Sequence, residues 1–224
     1  MEYMGHRGIE YLENKFELYA EHNKQFFGKN ETIANKMTRL NKEYDDFFHG
    51  LFIETGIDID VPDYINFISE RAASKCLKPT STELHEVHSL FESLTKIPNL
   101  KIWTFSNGNK KHVSKVLDIL KIKDYFDGHI NLTSIFNKYK KPIRKPSQKA
   151  YQIAEHEMEF DKDFDKIYFI DDHDKNIKAA IERKNWIGIL LDEKGTRSVD
   201  GALRIKSIQE LKDIIPELFN NIKK

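Results

Sequence analysis

The stretch Lys166-Ile-Tyr-Phe-Ile-Asp-Asp-His-Asp-Lys-Asn-Ile177 determines how the rest of the chain is interpreted. A short apolar run, residues 167–170, ends in the adjacent carboxylates Asp171 and Asp172, which is typical of a strand buried on both faces. Apolar residues at helical spacing follow. Open α/β sheets bind ligands at the carboxyl ends of their strands, and neighbouring carboxylates favour a bound cation. A helix N-cap acid beside a solvated neighbour explains the pair equally well.

The composition is that of a soluble chain with balanced charge. Its 36 basic and 36 acidic residues cancel, so the chain has no net field that would attract nucleic acid or an anionic membrane. No apolar run approaches the ~20 residues of a membrane span, and the N-terminus lacks a signal-peptide pattern. One cysteine, Cys76, excludes an internal disulfide. We therefore expect a reducing compartment, the cytoplasm, with a nuclear location left open.

The first eighty residues show helical periodicity and no strand pattern. Apolar residues recur at helical spacing from Ile9 to Phe27, from Ile33 to Phe48 and from Val61 to Leu77, with Gly28 and Gly50 as predicted stops. This pattern predicts a helical domain over residues 9–80.

From residue 81 onward, predicted strands and helices alternate. The predicted strands are residues 100–105, 129–135, 167–170 and 186–191, and the predicted helices are residues 82–94, 111–122, 146–158 and 174–184. Residues 205–211 form either a final capped helix or a step from strand to helix. Such alternation predicts an α/β fold with a parallel sheet wound by right-handed crossovers over residues 81–224.

Two further polar groups stand where the predicted strands and helices join. Ser106, Asn107 and Gly108 follow a strand and precede a helix, where free backbone N–H groups and the helix dipole favour an anion. A plain N-cap serine with a turn asparagine is the simpler explanation. Lys145 precedes Pro146, which is well suited to the first position of a helix. This lysine could neutralise a phosphoryl group or be a solvated surface charge.

Taken together, these segments resemble motifs two, three and four of the haloacid dehalogenase superfamily of phosphatases. The resemblance is closest to the fungal pyrimidine 5′-nucleotidase branch. The matching segments are Trp103-Thr-Phe-Ser-Asn-Gly-Asn-Lys-Lys-His112, Tyr125-Phe-Asp-Gly128, Lys145-Pro146, and Phe169-Ile-Asp-Asp172 with Asn176. The front half matches more loosely. The resemblance implies a haloacid-dehalogenase-like Rossmannoid core over residues 81–224 and an N-terminal α-helical cap over residues 9–80.

The resemblance also implies roles for individual residues and a ligand. Ser106 and Asn107 would hold a phosphate, and Lys145 would offset its charge and orient the nucleophile. Asp171 and Asp172 would hold Mg²⁺, with Asn176 acting through a water. Lys110 and His112 would approach the substrate. The expected ligand is a small phosphorylated molecule such as a nucleoside monophosphate.

Motif one of that family, an Asp-x-Asp at the end of the first strand, has no counterpart in residues 1–8. The family's offset places its nucleophile at Tyr3 and its general acid at Gly5. Tyrosine is a poor nucleophile at neutral pH because its reference pKa is ~10, and glycine has no side chain. Loss of a nucleophile commonly costs about 10⁶ in turnover, and loss of its charge weakens Mg²⁺ binding. We therefore expect an impaired phosphatase.

Three alternatives remain open at the level of sequence. Motif one could lie in Ile57-Asp-Ile-Asp-Val61, although acids there also suit a helix N-terminus. The sequence could lack its true N-terminus, in which case the protein would be an active Mg²⁺-dependent nucleotide monophosphatase. Finally, the chain could be a non-enzymatic component of a larger assembly such as a ribonucleoprotein, with the lysine-rich residues 138–149 touching phosphate backbones.

Overall fold

A computed structural model describes residues 8, 10–12, 32–44, 47–69, 73, 77–141 and 143–220. The chain divides into two compact units, an N-terminal unit of residues 1–77 and a C-terminal unit of residues 78–224. Tyr3, Gly5 and Cys76 lie outside the described residues, as does most of the helix predicted from Ile9 to Phe27. No helix within the described part is both long and apolar enough to cross a bilayer.

The N-terminal unit contains three described helices, α1 (Ile33–Tyr44), α2 (Phe47–Thr55) and α3 (Val61–Ser69). The prediction that Gly50 ends a helix is wrong, because α2 runs through it. A Cβ at position 50 would lie 2.6 Å from Cδ2 of Tyr44 and 3.2 Å from Cβ of Leu40. The glycine is thus required by the close packing of α1 against α2.

The segment between α2 and α3, residues 56–60, forms no strand. The Asp60 carboxylate instead accepts a hydrogen bond of 2.9 Å from the backbone N–H of Asp63 in the first turn of α3, as an N-cap residue does. The alternative that placed motif one in residues 57–61 is therefore wrong. Leu77, predicted as the end of the third helix, lies outside any helix.

The C-terminal unit alternates strands with helices. Its elements are α4 (Ser81–Leu94), β1 (Trp103–Phe105), α5 (Lys110–Leu120), β2 (Gly128–Ile130), α6 (Leu132–Tyr139), α7 (Gln148–Glu157), β3 (Ile167–Asp171), α8 (Asp174–Ile181), β4 (Trp186–Leu191), β5 (Leu203–Ile205), α9 (Leu211–Ile214) and α10 (Pro216–Phe219). Short 3₁₀ turns cover Lys123–Tyr125 and Ile208–Glu210. The strands form two sheets, β1-β2 and β3-β4-β5, and all pairs are parallel. The predicted α/β class with parallel pairing is confirmed.

Two local predictions in this unit are wrong. The strand expected over residues 129–135 ends at Ile130, because Asn131 and Ser134 form a capping box that starts α6. The helix expected to open at Pro146 begins at Gln148, with Ser147 as its N-cap, and the Lys145–Pro146 peptide bond is cis.

Hydrophobic clusters cover β3 from both sides. Phe169 belongs to a cluster with Tyr151 and Trp186, whereas Tyr168 packs against a second cluster that includes Ile189. The strand was predicted to be buried on both faces, and this fails at Ile170, which is 36% exposed. Ile170 is thus exposed directly before the polar residues at the end of β3 begin.

Candidate functional site

Lys145 lies at the centre of the predicted site and is only 6% exposed. Its Nζ donates to Oδ2 of Asp171 and to the backbone oxygen of Phe105, each over 2.6 Å. The same nitrogen lies 4.8 Å and 5.0 Å from the ring centroids of Phe105 and Phe169, within cation–π range. One buried ammonium therefore links the carboxyl ends of β1 and β3.

Asn107 holds the backbone of Lys145 through two reciprocal hydrogen bonds. Its Nδ2 donates to the Lys145 carbonyl and its Oδ1 accepts from the Lys145 N–H, both over 2.9 Å. This pairing fixes the orientation of the side-chain amide. Asn107, which was predicted to bind phosphate, thus holds the backbone of Lys145, which was predicted to neutralise its charge. The Oδ1 and Nδ2 atoms of Asn107 can each make one further hydrogen bond.

Ser106 begins a tight turn that leads into α5. Its Oγ accepts the backbone N–H of Gly108 over 3.0 Å. A Cβ at Gly108 would lie 3.2 Å both from Ser106 Oγ and from Cδ2 of His112, so glycine is needed for this close approach. Asn109, the N-cap of α5, accepts the backbone N–H of His112. Ser106, Gly108 and His112 are therefore packed together.

The two residues predicted to approach the substrate differ in their surroundings. His112 is half-buried, and its Nδ1 has no hydrogen-bond partner within the described part of the chain. Burial lowers the pKa of this imidazole below its usual value. Lys110 is exposed, and its backbone N–H donates to Thr133 Oγ1. His112 is therefore the member of the pair that lies beside the turn of Ser106.

The adjacent carboxylates at the end of β3 are used differently. Asp171 accepts Lys145 on Oδ2, and its Oδ1 accepts the backbone N–H of His173 and Nδ2 of Asn176, each over 2.9 Å. Asn176 is buried, and its backbone carbonyl accepts a hydrogen bond from the hydroxyl of Tyr151. The Asp172 carboxylate is exposed and bonds no described residue. Asp171 is thus the structural member of the pair, and Asp172 is the accessible one.

In this arrangement Asp171 and Asn176, two of the predicted magnesium ligands, are engaged in hydrogen bonds with protein groups. Mg²⁺ prefers six oxygen ligands in near-octahedral geometry, but both Asp171 oxygens accept N–H groups, and the Asn176 amide nitrogen points at Asp171. Among the described residues, no three His, Cys, Asp or Glu side chains are grouped as metal ligands. Only Asp172 offers a free carboxylate, so no chemical step is assigned to a metal here.

Arg197 supports the turn after β3, although no sequence pattern marked it. Its Nη1 donates to the Asp172 carbonyl over 2.9 Å and to Asp174 Oδ1 over 3.0 Å, and its Nε donates to Asp192. The backbone N–H of Arg197 is the main group that holds the pKa of Asp192 below its usual range. Asp192 follows the end of β4 just as Asp171 stands at the end of β3. This repeated position in the sequence could have identified Asp192 as a residue of the site.

This geometry places a cation, a hydroxyl and an amide at the carboxyl ends of parallel strands, as α/β enzymes that bind anions do. A family model for haloacid dehalogenase-like hydrolases matches residues 5–182. The chain therefore belongs to this hydrolase family.

Two solved structures with TM-scores above 0.5 agree with this assignment at the level of the fold, and a third structure is also similar. A haloacid dehalogenase-type phosphatase from Thermococcus onnurineus is 17% identical with a TM-score of 0.52, covering 81% of this chain and 79% of that chain. A dehalogenase is 14% identical with a TM-score of 0.51, covering 92% and 90%. The L-2-haloacid dehalogenase from Xanthobacter autotrophicus is 14% identical with a TM-score of 0.49, covering 88% and 91%.

Proposed function

We propose that the chain binds a phosphorylated small molecule, such as a pyrimidine nucleoside monophosphate, at the site around Lys145, and that it turns this ligand over very slowly. The observation that carries the proposal is the buried Lys145 ammonium, which two acceptors and Asn107 hold at the end of β1. An ammonium that keeps one further N–H is suited to a phosphate oxygen.

The turn after β1 supplies the remaining groups for an anion. α5 spans eleven residues from Lys110 to Leu120, and its N-terminus follows the turn of Ser106 and Gly108. The helix dipole favours negative charge at such a terminus. The backbone N–H groups of Gly108, Lys110 and His112 are already bonded within the chain, so the turn contributes mainly this dipole and the Ser106 hydroxyl. The choice of a pyrimidine nucleotide rests on the resemblance of residues 103–112 and 125–128 to the fungal pyrimidine 5′-nucleotidase branch.

Low turnover follows from the groups that the reaction needs. Phosphoryl transfer through a covalent intermediate requires an activated carboxylate nucleophile. In the described residues, the carboxylate nearest to Lys145 is Asp171, which is already committed to three N–H donors. Asp172 is accessible, and among the described residues no hydrogen bond connects its carboxylate to a base. Binding without efficient hydrolysis is the expected behaviour.

Calorimetric titration of the full chain with UMP, CMP and inorganic phosphate tests the binding. We expect Lys145→Ala and Ser106→Ala each to weaken UMP binding by about tenfold or more. Lys149→Ala is the matched control, because Lys149 is an exposed lysine on α7 whose Nζ lies near Gln152. Equal affinity in all four proteins, or no binding of UMP and phosphate at millimolar concentration, would overturn the proposal.

A phosphate-release assay with Mg²⁺ and UMP tests the low turnover. We expect a rate about 10⁶ below that of an ordinary phosphatase. Turnover of about 1–10³ s⁻¹ that Asp172→Ala abolishes would instead establish an active magnesium-dependent nucleotidase. Binding of RNA that falls steeply with salt, without any binding of UMP, would support the role in an assembly.

A further inference from the structure

Charge is distributed unevenly along this chain, although it cancels over the whole length. Residues 93–117 contain five lysines, residues 128–154 contain six lysines or arginines, and neither segment contains an aspartate or a glutamate. Acidic residues make up 36 of the 224 in the whole chain, so their absence from two segments of this length is a marked local bias. The field of the chain is therefore positive in these two segments.

The two segments meet at the site around Lys145. Asn107 belongs to the first segment and holds the backbone of Lys145, which belongs to the second, through two hydrogen bonds of 2.9 Å. An extended chain spans at most about 3.6 Å per residue, so any residue within five positions of Asn107 or Lys145 lies within about 18 Å of it. Five exposed lysines meet this limit and are called the basic surface: Lys110, Lys111, Lys140, Lys141 and Lys149.

The basic surface extends from the rim of the sheet along α6. The backbone N–H of Lys110, in the first turn of α5, donates to Thr133 Oγ1 in the first turn of α6. Lys140 and Lys141 follow the other end of α6, and four residues then lead the chain back to Lys145. Exposed cations thus lie near both ends of α6, and the buried ammonium of Lys145 lies between them along the chain.

We propose that the phosphorylated ligand is the 5′-phosphate end of a single-stranded nucleic acid, with its terminal phosphate at Lys145 and its next phosphates on the basic surface. This inference rests on the proposed function, which puts the phosphate of a nucleotide at Lys145. That lysine is only 6% exposed, so the end of a strand reaches it more easily than an internal phosphate does. A mononucleotide has no further phosphate for the five exposed cations.

The chemistry of the basic surface favours a flexible strand. Lysines bind phosphates as point charges without regard to the base, and they release counterions from the strand when they do so. A single strand can follow a line of cations over several nucleotides. In a duplex, the terminal nucleotide would first have to leave its pair and its stack in order to enter the site. Inorganic polyphosphate has similar charge, and the experiment below distinguishes it.

Fluorescence anisotropy tests this inference with the full chain and a 5′-phosphorylated pentauridylate that carries fluorescein at its 3′ end. We expect it to bind about tenfold or more tightly than UMP at low salt, with UMP measured by competition. Contact with three phosphates should give log K a slope of about −2 against the logarithm of the salt concentration, whereas the slope for UMP should be about −1 or shallower. The 5′-hydroxyl form should bind about tenfold or more weakly.

Charge reversal tests the basic surface separately from Lys145. The double variant Lys140→Glu with Lys141→Glu should weaken pentauridylate binding about tenfold more than it weakens UMP binding, and it should make the salt slope shallower by about one or more. The matched control is Lys206→Glu with Lys212→Glu, which reverses two exposed lysines that follow β5 in the other sheet. This control should change both affinities by about twofold or less.

The possible outcomes separate this inference from the proposed function. If UMP binds but pentauridylate binds no more tightly and with the same salt slope, the inference fails and the proposed function stands. If neither binds, or if pentauridylate binds without any binding of UMP, both fail. Equal binding of the 5′-phosphate and 5′-hydroxyl forms, or equal effects of the two charge reversals, would overturn the inference. Displacement by inorganic polyphosphate as strong as that by pentauridylate would overturn the assignment to nucleic acid.

Discussion

At the scale of single residues, Lys145 and Asp171 form a buried ion pair. Both side chains are at least nine-tenths buried, with exposures of 6% and 8%. A buried ion pair contributes little net stability compared with apolar residues, but removal of one partner leaves an uncompensated charge in a medium of low polarity. Each of the two charges is therefore tolerated in the interior because the other one is present.

Lys145→Ala should lower the free energy of unfolding by about 3–5 kcal/mol, because Asp171 then loses its cation. Urea denaturation measures this change, with Lys149→Ala as the control for loss of a surface lysine. The double variant Lys145→Met with Asp171→Leu should be markedly more stable than Lys145→Ala, because it buries no unpaired charge. A Lys145→Ala protein as stable as the control would contradict the buried pair.

His112 should make stability depend on pH in mildly acidic solution. Burial lowers the pKa of the folded imidazole below its ordinary value of 6.5, so the unfolded chain takes up a proton first as the pH falls. The stability that this residue contributes is therefore present above pH 6.5 and decreases as the pH falls below it. Chemical denaturation from about pH 7.5 to about pH 5 should show a smaller loss in His112→Asn than in the wild type. Parallel curves would contradict this assignment.

At the scale of elements, Trp103 and Gly128 fix the contact of β1 with β2. They are register partners in the parallel ladder. A Cβ at position 128 would lie 2.2 Å from Cζ3 and 2.5 Å from Cη2 of the Trp103 ring. The indole therefore occupies the space that any other residue at position 128 would need.

Gly128→Ala should destabilise the fold by about 1–3 kcal/mol through overpacking. The same change should cost much less in a Trp103→Phe background, because the smaller ring frees the space and removes the indole N–H, which has no described partner. A double-mutant cycle by thermal unfolding measures the coupling. Additive effects of the two substitutions would show that the ring does not press on position 128.

Arg39 and Glu54 link α1 to α2 in the N-terminal unit. Arg39 donates to both Glu54 oxygens, over 2.6 Å and 2.9 Å, and Lys36 adds a second cation at 3.4 Å. Hydrogen bonds from Arg39 lower the pKa of Glu54 from 4.5 to about 2. The stability from this pair is present above pH 4.5 and is lost as the pH falls toward 2.

The expected effect of Glu54→Gln is a loss of about 1 kcal/mol at neutral pH, since partial exposure screens the pair. The difference from the wild type should shrink as the pH approaches 2 and vanish below it, because Glu54 is then protonated in both the folded and the unfolded state. Denaturation curves across this range measure it. A difference that persists at low pH would mean that packing of the side chain, not its charge, is responsible.

The elements that the sequence predicted best are those with two independent local signals. The end of β3 was predicted at residue 170 and found at Asp171, because an abrupt change from apolar to acidic residues marks it. α6 was missed because its capping residues, Asn131 and Ser134, follow an apolar strand directly. Gly50 misled the prediction because its role is tertiary contact, which no local pattern shows.

The sequence indicated which residues stand at the rim of the sheet, but it did not show which of them form hydrogen bonds with one another. Ser106, Lys145 and Asp171 each follow or precede an element boundary, so their residue types and order identify the rim. The prediction assigned Asp171 and Asp172 the same role, but the structure separates them, because strand alternation turns one toward Lys145 and the other to solvent. Arg197 was missed because its partners lie up to 25 residues away in the chain.

At the scale of the whole molecule, the described hydrophobic clusters of the C-terminal unit consist of residues from that unit. Three hydrophobic clusters, centred on Tyr151, Ile189 and Val113, draw all of their members from residues 87–219. The boundary between the two units falls between Leu77 and Lys78, just before the capping box of Thr80 and Glu83 that starts α4. A segment with its own core and its own helix start meets the physical requirements of an independent domain.

We therefore expect residues 78–224, expressed alone, to unfold in one cooperative thermal transition and to retain the near-ultraviolet circular dichroism of Trp103 and Trp186. Lys145 and Asp171 both lie in this fragment, so Lys145→Ala should destabilise it by about as much as it destabilises the full chain. A broad transition without near-ultraviolet signal would show that the fragment lacks fixed packing. In that case residues 78–224 do not contain everything that the fixed packing of the core requires.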